Sequence, residues 1–214
     1  MDENINQSAR KPHAVLDLDS RLLKAKKIEL LLGLNADCRG LKLLEIGTGS
    51  GGIAHYFANV SAHNFQVNAV DVTDSRLTAE GYQFQLVKDV MLPFANETFD
   101  VVITNHVIEH VGDYSAQCDH LREVRRVLKK GAIGYLAVPN RWMLVEPHFK
   151  LIFLSWLPKK LRTPYLKWMG KGNFYDCEPL EPREIESMFL KTDLSYKNRC
   201  VEALKLTQIG RAHV

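Results

Sequence analysis

The densest chemistry in the sequence is a glycine run, Leu44-Glu45-Ile46-Gly47-Thr48-Gly49-Ser50-Gly51-Gly52. Glycine tolerates positive φ and lets a ligand lie against the backbone. Between a strand and a helix, such a run aims free N–H groups and the helix N-terminus at an anion. Asp71 follows Gly51 by twenty residues, at the end of the next expected strand. A carboxylate there accepts hydrogen bonds from ribose hydroxyls. Gly47, Gly49 and Gly52 also spell GxGxxG, the dinucleotide fingerprint, so the loop alone leaves nicotinamide-dependent oxidation open. A turn with no ligand would leave the acid at this offset unexplained.

A second group of candidates is Asn105-His106-Val107-Ile108-Glu109-His110. In open parallel sheets, ligands lie beyond the carboxyl ends of the strands, and this segment follows the fourth expected strand. On a helix, positions 106, 109 and 110 would share a face. The HxxEH spelling matches an inverted zinc-protease signature, but a protease needs a long helix and a further ligand. Three readings stand side by side: His106 as a base or substrate contact, a metal ligand set, or Glu109 and His110 capping and packing. His110, His148, Tyr165 and Tyr175 are candidate acceptor contacts, and each would serve equally as a satisfied lid residue. The four cysteines, Cys38, Cys118, Cys177 and Cys200, form no CxxC pair, which suits a reduced cytoplasm and buried or incidental roles.

The elements that must position these residues follow from pattern. An amphipathic helix is expected over Leu16–Leu34 and a buried strand over Leu41–Ile46. A helix over Gly52–Asn59 and strands over Gln66–Val72, Phe84–Lys88 and Phe99–Thr104 come next. A charged helix over Cys118–Lys129, a fifth strand over Ala132–Val138, a helix over Pro182–Lys191 and a sixth strand over Leu194–Leu206 complete the expectation. Apolar strands alternating with helices predict an α/β fold: a doubly wound, mostly parallel Rossmann-like sheet with helices on both faces. Residues 140–180 break this rhythm with all three Trp, and read as a lid or insertion within a single domain over residues 1–207.

Several motifs in order resemble the class I S-adenosylmethionine-dependent methyltransferases, in their type 11-like branch, over about residues 40–140. That family's acid-x-Gly-x-Gly-x-Gly is matched by Glu45, Gly47, Gly49 and Gly51, with Glu in place of the frequent Asp. Asp71 matches the acid on the ribose, and Asp89-Val90 in Asp89–Phe94 matches the segment that contacts adenine through a side chain and an N–H. Phe99-Asp100-Val101-Val102 and Leu128-Lys129-Lys130-Gly131-Ala132 match the family's fourth strand and the turn into its fifth. The resemblance implies S-adenosylmethionine as cofactor, held by these residues together with Thr48, Val72 and Asn105, and His106 as the catalytic candidate. Quinone-type O-methyltransferases carry acid-x-x-Glu-His here, linked to a divalent metal; His106 replaces the first acid, which does not suit a hard ion. No metal ligand is therefore assigned from the sequence. A softer likeness of residues 139–176 to polysaccharide and glycolipid methyltransferases implies a small-molecule, saccharide or lipid-linked acceptor, methylated at oxygen. A nicotinamide oxidoreductase and a non-catalytic cofactor-binding module remain the alternatives.

Composition narrows the field further. A net charge of +3 in 214 residues does not point to nucleic acid. No run is long and apolar enough to span a membrane, and the start lacks a secretory signal. The apolar stretch His148–Pro158, followed by Lys159, Lys160, Arg162 and Lys167, could touch an anionic membrane surface peripherally, or pack on the sheet as a lid helix with a solvated basic flank. Residues 208–214 read as the translation of a sequencing adapter and are expected to be non-native. The family sheet has seven strands in the order 3-2-1-4-5-7-6. A chain ending near Thr207 would lack the seventh and leave the fifth with an unpaired edge, favouring aggregation.

Overall fold

A computed structural model of the chain describes the backbone of residues 17–35 and 37–211. The expected loose start over 1–14 and the last three residues of the 208–214 tail lie outside them.

Helix α1 (Leu18–Leu32) opens at Asp17, whose carboxylate accepts from the N–H groups of Asp19 and Ser20. Strands β1 (Lys42–Ile46), β2 (Gln66–Asp71), β3 (Gln83–Leu86), β4 (Phe99–Asn105) and β5 (Leu128–Ala137) form one sheet in the order β3-β2-β1-β4-β5. Every pairing in it is parallel. The mostly parallel α/β expectation is thus met. Adjacent residues of the central strands face opposite cores, which is why these strands read as apolar throughout. Leu43, Val67, Val101 and Ile103 pack under α1 and helix α2 (Gly52–His55) with Ile28, Ile53 and Phe57. Leu44, Ile46, Val70 and Val102 pack on the other face against Val124 and Val127 of α3 (Tyr114–Val127).

Several boundaries move for physical reasons. α2 is a single turn that widens into a π-turn over Tyr56–Val60. α3 starts at Tyr114, not Cys118, because Asp113 caps it by accepting from Ala116 N. β5 starts at Leu128: its register against β4 jumps from Phe99–Leu128 to Val101–Ile133, and the bulge absorbs the Lys129-Lys130-Gly131 turn. The sixth strand expected over Leu194–Leu206 is a correction. Cys200–Arg211 is helix α6, built on Glu202, Ala203, Leu204, Lys205 and Leu206, all good helix formers. Among the described residues the main sheet has five strands, and β5 is one of its edges.

The lid contains a two-stranded antiparallel ladder, β6 (Val145–Glu146) with β7 (Leu151–Ile152), then helix α4 (Lys159–Trp168). It builds its own small core from Leu151, Leu154, Leu166, Tyr175 and Cys177, so its apolar residues do not simply pack on the sheet. Buried Arg162 ties it together by donating to the carbonyls of Leu157 (2.8 Å) and Ser155 (3.2 Å). Helix α5 (Pro182–Lys191) follows, with a capping box between Glu181 and Glu184.

Candidate active site

The glycine run is the β1–α2 turn. Gly47, Gly49 and Gly51 have φ of 77°, 55° and 81°, which only glycine adopts cheaply. Space demands glycine as well: a Cβ on Gly47 would strike the Val107 side chain, and one on Gly51 the Thr78 carbonyl and Tyr82 hydroxyl. Gly49 N donates to Asp71 Oδ2 at 2.8 Å, while Val72 N donates to Asp71 Oδ1 at 2.7 Å. Main-chain donors therefore fix the carboxylate at the rim of the loop, as expected for Asp71 beside Gly47, Thr48, Gly49 and Val72. The segment after β2 folds back over the turn, with Leu77 N donating to Ser50 O at 2.9 Å. Neither Thr78 nor Tyr82 was singled out in the sequence; their contact depends on the path of a loop.

Glu45 lies beneath this turn, 1% exposed. Burial pushes its carboxyl up to about 8; the Asp71 charge adds to the rise, opposed by a main-chain hydrogen bond from Ala54 and the charge of Arg21. Glu45 Oε2 and Ser50 Oγ are buried with no hydrogen-bond partner among the described residues. Unpaired buried polar atoms are costly, and they cluster where a ligand completes the set.

The second candidate group gathers at the carboxyl end of β4. Asn105 closes that strand and His106 leaves it with φ of 58°, a left-handed geometry that costs a non-glycine residue energy. The HxxEH residues do not share a long helix: Ile108–His110 is a single 3₁₀ turn, which removes the protease geometry. His106 Nδ1 nevertheless stands 3.3 Å from Glu109 Oε1, with the Glu109 side chain fully buried and that of His106 36% exposed. Glu178 N donates to Glu109 O at 2.7 Å, and Gln117 Nε2 donates to the carbonyls of Ile108 (3.3 Å) and Glu178 (3.0 Å). Those bonds bring the lid's return segment onto the turn. His148 arrives there too, its ring edge-on to His110 at 5.0 Å and its Nδ1 2.6 Å from Glu146 Oε1. Burial opposes a charge on His148, but the Glu146 hydrogen bond and the charges of Glu146, Glu109 and Asp176 outweigh it and raise its pKa. Tyr175 is buried beside the Phe149 ring and under Arg162, and burial pushes its hydroxyl pKa up.

Residues 44–136 match the profile of a family described as methyltransferase domain. Over that stretch, a little under half of its length, the chain is similar to methyltransferase domains, in keeping with the motifs it carries there. Ubiquinone biosynthesis O-methyltransferase of Brucella melitensis is 27% identical over 177 residues, covering 78% of this chain and 64% of that protein. The protein of the same description from Caulobacter vibrioides is 30% identical over 164 residues, covering 71% and 58%. This chain thus spans about three fifths of the curated relatives it matches. A solved S-adenosylmethionine-dependent methyltransferase from Methanosarcina mazei shares the fold, with a TM-score of 0.58, 19% identity, and coverage of 77% of this chain and 82% of that one.

For this methyltransferase domain, the cofactor fits the residues present. The positive-φ glycine turn, the Asp71 carboxylate anchored at its rim and the unpartnered Glu45 Oε2 are the groups the cofactor would meet. The family match sets the nicotinamide reading of GxGxxG aside. Asp89 is exposed and caps its own turn by accepting from Met91 N at 2.8 Å, with Val90 beside it. Tyr165 stays inside the lid, packing on its small core and donating to Ile152 O at 3.2 Å. Cys177 and Glu146 are the residues that sequence reasoning missed here; each lies in the lid without a motif, and only the lid's closure on the 3₁₀ turn places them.

Proposed function

We propose that the chain is an O-methyltransferase that uses S-adenosylmethionine and acts on a hydroxyl of an amphipathic, lipid-linked acceptor. The observation that carries it is the bond between Gly49 N and Asp71, which puts the ribose acid and the glycine turn at one rim. Asp71 would hold the ribose hydroxyls, with Glu45 and the Gly47–Gly51 turn beneath the rest of the cofactor. Bound there, the cofactor supplies an electrophilic methyl group on a sulfonium. The chain then has to orient the acceptor, exclude water and accept one proton. His106 is placed to accept that proton. Glu109 faces its Nδ1, which leaves Nε2 to take the proton that the acceptor hydroxyl sheds. Relatives named as ubiquinone biosynthesis O-methyltransferases support transfer to oxygen.

The lid supports the amphipathic acceptor. Trp142, Phe153, Trp156 and Trp168 are 41–80% exposed on it, beside exposed Lys159, Lys160 and Lys167. Aromatic and basic side chains together suit an anionic lipid surface. No helix among the described residues is long and apolar enough to cross a membrane. Calorimetry with S-adenosylhomocysteine tests the cofactor site: binding is expected, with Asp71→Asn weakening it roughly tenfold or more, since hydrogen bonds to charged groups are worth about 1.5–3 kcal/mol. Transfer to prenylated phenols and lipid-linked saccharides in anionic vesicles is expected to exceed transfer to their water-soluble analogues. His106→Ala should lower kcat roughly 10²–10⁴-fold. A folded protein that ignores the nucleoside rejects the proposal; one that binds it but methylates no acceptor is a binding module.

A further inference from the structure

We propose that His110, His148 and Cys177 form a binding site for a transition-metal ion of the zinc type, clasping the lid to the carboxyl edge of the sheet. One ligand atom from each lies within 4.8 Å of the others. Cys177 Sγ stands 3.7 Å from Nδ1 of His110 and 3.7 Å from Nδ1 of His148. Zinc–sulfur bonds of about 2.3 Å and zinc–nitrogen bonds of about 2.0–2.1 Å at tetrahedral angles separate such donors by about 3.5 Å. Both sulfur-to-nitrogen separations are therefore already close to edges of a coordination tetrahedron, and the two imidazoles lie within 4.8 Å of each other.

The surroundings suit a cation. Glu109 and Glu146 are buried at 0% and 2% exposure, and both Glu109 carboxylate oxygens lack a hydrogen-bond partner among the described residues. Glu109 Oε1 lies 3.8 Å from His148 Nε2, and Glu146 Oε1 2.6 Å from His148 Nδ1. With Nδ1 of His148 turned to the ion, Glu109 on Nε2 is the carboxylate that orients the ring, while Glu146, which meets the same Nδ1, gives up that contact when the ion binds. Imidazole and thiolate select zinc-like ions over magnesium or calcium, which take oxygen. Three protein ligands leave a fourth position for water or a substrate oxygen. On binding, the Cys177 thiol gives its proton to solvent and its sulfur lone pair to the ion, with no redox change. Only His110 comes from the HxxEH string; the two ligands that define the site come from the lid. The site stands apart from the methyl-transfer reading, and its test needs no methyl donor.

The full chain, stripped with a chelator, is titrated with Co²⁺ and then displaced with Zn²⁺. One ion per chain is expected, with tetrahedral ligand-field bands and a thiolate-to-cobalt charge-transfer band. Cys177→Ala should abolish the charge-transfer band. With His148→Gln, it should weaken zinc binding by more than the roughly 10–100-fold that loss of an outer partner costs, and Glu109→Gln should fall within that range. Cys200→Ala, an exposed cysteine, should change nothing. Thermal unfolding of each variant checks that it folds. Failure of the unaltered chain to bind a stoichiometric ion overturns the site, as does a charge-transfer band that survives Cys177→Ala in a folded variant.

Discussion

Glu45 carries a cost that a functional site explains. The unfolded chain gives up this proton near the ordinary value of 4.5, whereas the folded chain holds it to about 8. The unfolded state therefore binds fewer protons between those values, and stability falls as pH rises through that window. Glu45→Gln removes the penalty. It is expected to raise Tm at pH 8 and above, by the equivalent of a few kcal/mol, and to leave Tm near pH 4 almost unchanged. On the proposed reading, in which Glu45 lies beneath the cofactor, affinity for S-adenosylhomocysteine should drop in the same variant. Melting curves across pH, paired with calorimetry, check both; a Tm gain that is constant with pH would assign the effect to packing. Glu45, Gly47, Gly49 and Asp71 were all legible in the sequence, because main-chain conformation and a fixed offset dictate their types. Glu146 and Cys177 were not, because their roles depend on contacts far along the chain.

Among the elements, α3 bears its own pH sensitivity. His120, on its buried face, is 3% exposed and lies 3.2 Å from Thr104 Oγ1 of β4 through Nε2. Burial lowers its pKa to about 4, with Glu109 opposing the shift. Below the ordinary value of 6.5 the unfolded chain takes up a proton that the folded chain refuses until about pH 4. Stability should fall by about 3 kcal/mol over that interval, a loss that His120→Gln would spare. Urea melts at pH 7, 5.5 and 4 read this slope; parallel slopes for the two proteins would contradict it. α3 was readable as a charged helix, yet its start was not, because the Asp113 cap sets it. At α6 the reading failed outright: weak alternation over Leu194–Leu206 resembled a strand, but local propensity decided for helix.

For the whole molecule, β5 is the exposed question. Among the described residues it pairs with β4 alone, so its other edge presents unpaired backbone groups. Concentration-dependent self-association is expected in sedimentation velocity, and a single monomeric boundary at all concentrations would count against it. The sequence by itself determined the parallel sheet, the glycine turn and its acid, since these rest on short-range periodicity and on conformations open only to glycine. Tertiary structure alone decided where the lid goes. Its small core and the hydrogen bond from Glu178 N to Glu109 O carry His148 and Cys177 to His110. Closure of that kind joins residues tens of positions apart through packing, which leaves no spacing in the chain to read.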